Sequence, residues 1–337
     1  MIDSLLNLHS SLSEDTVLYR TVDFFSAASI VENHQLMFSR ADTFPDKNEG
    51  IDRLLAQLEI SGASQALGMG WHDHETAQLH HEKIKKSHYI SCWSRTAESV
   101  AMWSLYSPDC SAVRISTTVS KLRRTLLALL SKYSIERFTK NDLGKRVVVA
   151  VDAHIAPVNY TSLSVKARRI TRRIKAYRKL ASRYAEQDRP PPTLTQIDPI
   201  FYEREEQRRL TDFKTTCLLK DVSFQHEAEV RLSIRLGEEI CTAEMLESQV
   251  CLDPRHKYHA VLKDRLHAWS FVSSTPLPPR EFASCTGQLV DTVAIDPRCP
   301  AHKSKFIRTW FAEKGITVVE SESFGYLPSS FEVYPKW

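Results

Sequence analysis

The chain has 337 residues, is 42% hydrophobic and 26% charged, and carries a formal net charge of +4 with a pI near 8.6. These values describe one large or two ordinary soluble globular domains. They exclude a molecule that is basic enough as a whole to announce nucleic-acid binding. No apolar run approaches the roughly 18–20 residues of a membrane span. The opening segment, Met1 to Ser13, lacks a basic n-region and an apolar h-region, so no signal peptide is expected. The seven cysteines are scattered without C-x-x-C spacing, which argues against a disulfide framework or zinc cluster and for a reducing cytosol. The 9 glycines form neither a G-x-G-x-x-G nor a P-loop pattern, so neither nucleotide-binding motif is expected.

In chain order, residues 1–15 read as a polar, partly helical lead-in, and Thr16 to Arg20 as a short strand. Phe24 to Asn33 has helical apolar spacing with Asp23 as N-cap. Gln35 to Ser39 is a second strand, followed by a polar loop from Arg40 to Gly50 broken by Pro45. Residues 51–86 look helical with a break from Ser61 to Gly70. His88 to Trp93 and Ala112 to Ser116 read as strands, Ala97 to Tyr106 and Ser120 to Phe138 as helices. The β-branched run Val147 to Val151 suits a central strand. From 161 to 192, apolar residues keep helical spacing while arginine and lysine fill the rest, ending in Pro190-Pro191-Pro192. This is one long basic amphipathic helix and a stiff linker. A charged helix follows at about 199–214, then strands near 257–262, 268–274 and 289–295, a helix near 302–314 and a strand at Ile316 to Glu320. Strands and helices mix without strict alternation, so the fold class is α+β. The core would run from about 16–160 and 215–325, with 161–214 as a basic helical insertion.

Phe224 to Leu236 is the most informative stretch. From Glu229 it alternates, with Val230, Leu232, Ile234 and Leu236 on one face and Glu229, Arg231, Ser233 and Arg235 on the other. On an extended backbone Glu227 and Glu229 would share a face, roughly 6–7 Å apart. The plain reading is a solvated strand face. His72, His74, His80, His81 and His88 invite a metal reading, and only His72 and His74 fit an H-x-H pair. No cysteine or carboxylate is spaced to complete it, so a polar helix and loop, and no metal, are expected. No G-x-S-x-G elbow or locally matched Cys–His pair marks a nucleophile. Trp103 and Tyr106, three apart on a helix, face the same way and read as core. The basic helix, through Arg168, Arg169, Arg172, Arg173 and Arg178, suits phosphate contacts or a solvated face.

Tyr19-Arg20, Phe38-Ser39, the Phe44–Glu49 loop, Cys92-Trp93-Ser94, Met102 to Tyr106, Tyr160, Lys220 and Phe224-x-x-Glu227-x-Glu229-x-Arg231 together resemble the bacterial domain-of-unknown-function 2971 family. The resemblance runs from about Val17 to Ser323. It departs at Pro45, Asn48, Leu105 and Phe224, where that family has asparagine, phenylalanine, histidine and tryptophan. More loosely, an aromatic-basic first strand, a Leu-x-Phe-Ser strand and a late Glu-x-Glu strand look like the ADP-ribosyltransferase layout. That resemblance implies NAD as substrate, Glu229 as the catalytic carboxylate, and Glu227 as the group that orients or deprotonates the acceptor. It further implies Arg20 on the NAD pyrophosphate and facing Glu229, Tyr19 near the nicotinamide ribose and Ser39 supporting the pocket. Trp103 and Tyr106 complete the expected cofactor-binding set. The acceptor would be a macromolecule, DNA or RNA being one candidate, in a bacterial defence or toxin setting and with no membrane partner. Without the resemblance, Arg20 and Arg231 are ion-pair partners for Glu49 and Glu229. Two rival readings stay open: a non-catalytic nucleotide-binding sensor, and a nuclease holding metal on Asp46, Glu49, Glu227 and Glu229.

Overall fold

The computed structural model describes residues 5–68, 74–197, 217–247 and 277–325. In chain order these form β1 (Leu6–Leu8), β2 (Val17–Val22), α1 (Phe24–Asn33), β3 (Gln35–Arg40), α2 (Ile51–Ala66), α3 (His74–Ser87), β4 (His88–Ser94), α4 (Val100–Tyr106) and β5 (Val113–Thr118). Then come α5 (Val119–Lys132), β6 (Arg146–Pro157), β7 (Asn159–Thr161), α6 (Leu163–Glu186), α7 (Leu194–Ile197), β8 (Leu219–Asp221) and β9 (Glu229–Ile240). The described chain closes with α8 (Ala243–Glu247), β10 (Arg280–Ser284), β11 (Thr292–Ile295), α9 (Ala301–Glu313) and β12 (Thr317–Val319). The class is α+β. The expected helix at about 199–214 and strands near 257–262 and 268–274 lie outside the described residues. Among the described residues no helix is long and apolar enough to cross a membrane, and the cysteines are free thiols.

One mixed sheet dominates, in the order β1-β6-β9-β4-β2-β5-β11-β12, with β3 joining β4 to β10. Strand β4 is shared on one edge. Its Ser94 pairs with Tyr19 of β2, while its Ile90 and Tyr89 pair with Ser39 and Arg40 of β3. The two neighbours part between these points and leave a notch beside Ser91, Cys92 and Trp93. A small parallel ribbon of β7 and β8 lies apart and sets Tyr160 beside Lys220.

One sheet face carries the main core. Val230, Leu232, Ile234 and Leu236 of β9 pack there with Ala27 and Ile30 of α1, Leu122 and Leu126 of α5, and Ile307 and Phe311 of α9. Local signals start these helices. Asp23 caps α1 by accepting the Ser26 N–H at 2.9 Å, and Thr118 caps α5. The opposite face carries helices too. α3 lies over β3, β4 and β9, and α2 packs on α6. Gly62, inside α2, meets the Ile174 side chain where a Cβ would stand, so glycine here permits close helix approach. Gly50, at φ +69°, lets the loop before α2 turn against Cys217.

Several expectations need correction. The lead-in contains a strand, β1, because Leu6 buries against β6 in parallel register. The break between α2 and α3 begins after Ala66, not at Ser61, since Ser61 and Gly62 sit inside the helix. The helix from Ser120 stops at Lys132 and gives way to a short 3-10 turn at Ile135–Arg137. Glu227 does not lie on a strand. Val222–Glu227 is a 3-10 turn, Ala228 is left-handed at φ 42°, and β9 starts at Glu229. The polar face of β9 is not solvated either: Glu229, Arg231, Ser233 and Arg235 are all buried.

Candidate active site

The polar face of β9 is viable because its charges neutralise one another. Arg231, fully buried, donates through Nε to Glu229 at 2.8 Å and through Nη2 to Glu49 at 2.9 Å. Its Nη1 reaches Glu49 Oε1 and the Cys217 carbonyl. Lys220, delivered by β8, donates to Glu227 at 2.5 Å and to Glu229 at 3.1 Å. The Tyr106 hydroxyl, at the end of α4, donates to the other Glu227 oxygen at 3.1 Å. Glu49, Arg231, Glu229, Lys220 and Glu227 thus form one chain of alternating charge, three acids against two bases, one negative charge in excess. Partners this close are what buried ions require, since an unpaired charge at such depth is prohibitive.

The carboxylates differ in how they are held. Burial pushes the Glu229 carboxyl up, but the Arg231 guanidinium and Lys220 ammonium outweigh it and bring the pKa from 4.5 to about 2. Its backbone N–H is fixed by the Tyr160 oxygen at 2.8 Å. The Cys92 thiol beside it is pushed well up by burial and by the Glu229 charge, so it stays protonated. Glu227 is 7% exposed but ends against Tyr106, which is 45% exposed. Burial and the Glu227 charge raise the Tyr106 hydroxyl above its ordinary value, so it remains a donor. Burial lowers the Lys220 ammonium, and Glu229 and Glu227 more than reverse this. The solvent-facing end of the network is therefore Glu227 with Tyr106, and the sealed end is Glu229 with Arg231.

A small pocket opens beside this network, lined by Tyr19, Thr21, Ser94, Ser99, Trp103 and Arg114 among others. Tyr19 pairs with Ser94, and Ser94 pairs with Glu229, so the pocket and the acidic residue share one row of the sheet. The Arg114 guanidinium stands 5.4 Å from the Tyr19 ring. Helix α4 links the two places: buried Trp103 lines the pocket and Tyr106 reaches Glu227. Trp103 and Tyr106 therefore do not share one environment as two core residues would.

Arg20 does not face Glu229. The strand register sets Arg20 opposite Ile115 of the core, and Nη1 donates to Ser91 at 3.2 Å with the guanidinium 6.0 Å from the Trp93 ring. It fills the notch between β2 and β3, where burial lowers its pKa. Tyr19 takes the row that the resemblance implied for Arg20. Ser39 pairs directly with Ile90 of β4, at the margin of the notch. Of the two arginines, Arg231 is the ion-pair partner of Glu49 and Glu229. It lies between those two acids, so they close on a guanidinium and not on an open cation position. Asp46 instead accepts the Asn48 N–H at 2.9 Å. His88 is buried and held near pKa 3 by burial and Arg235, and its Nδ1 bonds the Ile84 carbonyl at 2.8 Å. Among the described residues no His, Cys, Asp and Glu group is arranged to hold a metal. His72 lies outside the described residues.

Lys220 and Tyr160 received no role from the sequence, although both belong to the quoted resemblance. Each sits on a three-residue strand whose pattern is too short to read. Comparison with protein families, curated proteins and solved structures finds no match.

Proposed function

We propose that the network around Glu227 and Glu229 is the catalytic centre of an ADP-ribosyltransferase-like enzyme that uses NAD to modify a macromolecular acceptor. The single observation that carries this reading is the convergence of both carboxylates on Lys220, with the Glu227 end open toward Tyr106. The chemistry breaks the bond between ribose C1′ and the nicotinamide nitrogen. The bonding pair leaves with nicotinamide, and positive charge develops on the ribose. A site with one negative charge in excess stabilises that charge. An acceptor nucleophile then bonds to C1′ and passes its proton to Glu227, the more accessible carboxylate. Glu229 supplies fixed negative potential beside it.

The test is release of nicotinamide from NAD by the purified chain with a cell extract supplied as acceptor. The reading expects release by the native protein and its loss in Glu227→Gln with circular dichroism unchanged. Equal release by Glu227→Gln, or none by the native protein, removes it. A second reading, nucleotide binding without turnover, is favoured by one feature: both Glu229 oxygens are already engaged by Arg231 and Lys220. NAD binding by calorimetry with no nicotinamide released in any extract would select it.

A further inference from the structure

We infer that the outward face of α6 is a docking surface for the phosphate backbone of a nucleic acid. Helix α6 runs for 24 residues and contains no acid before Glu186. Its buried side, Leu163, Ile170 and Tyr177, seats it on the molecule. Directly opposite, Arg168, Arg172, Lys175, Lys179 and Arg183 fall in one stripe at helical spacing, all exposed. From Arg168 to Arg183 the stripe is about 22 Å long at 1.5 Å per residue.

A solvated helix face ordinarily mixes signs, because i,i+4 acid–base pairs support the helix and like charges at that spacing oppose it. Here Arg168 and Arg172, and Lys175 and Lys179, are like pairs at that spacing. By contrast Arg173, on the flank, is satisfied by Glu59 of α2. The helix therefore tolerates repulsion on one stripe while pairing the charge that meets the protein. That pattern fits a polyanion that supplies the missing negative charge.

Protein partners are anchored by buried apolar and aromatic residues at the centre of an interface. The stripe offers no such residue; the large apolar side chain exposed on α6 is Val165, at its first turn. Phosphate-backbone binding needs only cations, and guanidinium groups suit it better than ammonium because they contact phosphate in a bidentate way. Three of the five stripe residues are arginine. The inference concerns binding alone and stands whether or not the NAD reading holds, because it is measured without NAD.

The experiment measures binding of a fluorescent 20-nucleotide single strand and of the matching duplex to the full chain by anisotropy. Five phosphate contacts predict a slope of log affinity against log salt near −4.5 for duplex and about −3.5 for single strand. Arg172→Gln with Lys179→Gln should weaken binding at least about tenfold at low salt and reduce the slope by about 2. Glutamine keeps the helix propensity of the residues it replaces, and an unchanged melting temperature checks the fold. Lys305→Gln with Arg308→Gln on α9 removes the same charge elsewhere and should leave the affinity within about twofold. Equal losses in the two double variants would show bulk attraction and overturn the docking surface. So would failure of the native chain to bind at about 50 mM salt, where phosphate contacts are strongest. Displacement by polyglutamate at the same charge concentration as by unlabelled strand would assign the face to an acidic protein and overturn it as well.

Discussion

β9 and α6 are both rich in arginine, yet the structure treats them in opposite ways. On β9, Arg231 is fully buried and held between Glu49 and Glu229, and Arg235 is buried against Asp152 at 2.7 Å. On α6 the stripe of Arg168, Arg172 and Arg183 stands in solvent. The same side chain is a structural ion in one place and a solvated cation in the other. The difference lies in what the opposite element supplies: acids from a loop and a strand for β9, and water for α6. A buried guanidinium needs a counter-charge within reach. An exposed one is free to wait for a ligand.

The sharpest way to break this contrast is to remove the buried cation. Arg231→Met takes away the guanidinium between Glu49 and Glu229, leaving Lys220 to face Glu229 alone, and should destabilise the chain by about 3–5 kcal/mol. Urea denaturation reads this directly, and a loss below about 1 kcal/mol would mean that the network is far more hydrated than its burial implies.

Acid should probe the same end of the network. The Glu229 carboxyl titrates near 2 in the folded chain against an ordinary 4.5, a difference worth about 3 kcal/mol. A carboxylate with a lowered folded pKa contributes its stability above 4.5 and loses it as pH falls toward 2. His88 acts with the same sign. Its pKa falls from 6.5 to about 3, so its contribution is complete above 6.5 and declines as pH drops through that window. Unfolding free energy should therefore fall steadily from about pH 6 downward. The native curve and that of Glu229→Gln should converge as pH approaches 2. Parallel curves would show that Glu229 does not titrate as its partners dictate.

Tyr106→Phe removes only the hydroxyl that donates to Glu227 from a half-exposed ring. Stability should change by about 1 kcal/mol or less, whereas nicotinamide release should fall by about tenfold to a hundredfold if Glu227 is the working base. The split between the two readouts separates a site from a scaffold. The smallest effect belongs to α6. Arg172→Gln with Lys179→Gln should alter the unfolding free energy by no more than about 0.5 kcal/mol, in either direction. A large loss there would mean that the stripe is part of the fold after all.

Much of the frame was legible because it rests on local pattern. The cap at Asp23, the alternation of β9 and the amphipathic basic helix are all local signals, and each of these elements forms close to where its pattern places it. The two sequence-chosen glutamates also meet, although for a reason that the pattern did not contain. Glu227 reaches the site from a 3-10 turn across a left-handed Ala228 and not from an extended strand.

What the sequence determined by itself is therefore the longer elements and the two faces of each, since side-chain periodicity follows from backbone geometry alone. Only the tertiary structure decided which polar face would be buried, because burial depends on distant partners. Glu49, Lys220 and Tyr106 arrive from a loop, a short ribbon and the end of a helix to make the polar side of β9 stable. Long-range register likewise placed Tyr19 in the row of Glu229 and turned Arg20 toward Ser91. A one-residue step along a strand reverses the face, and that choice is made by the neighbouring strands.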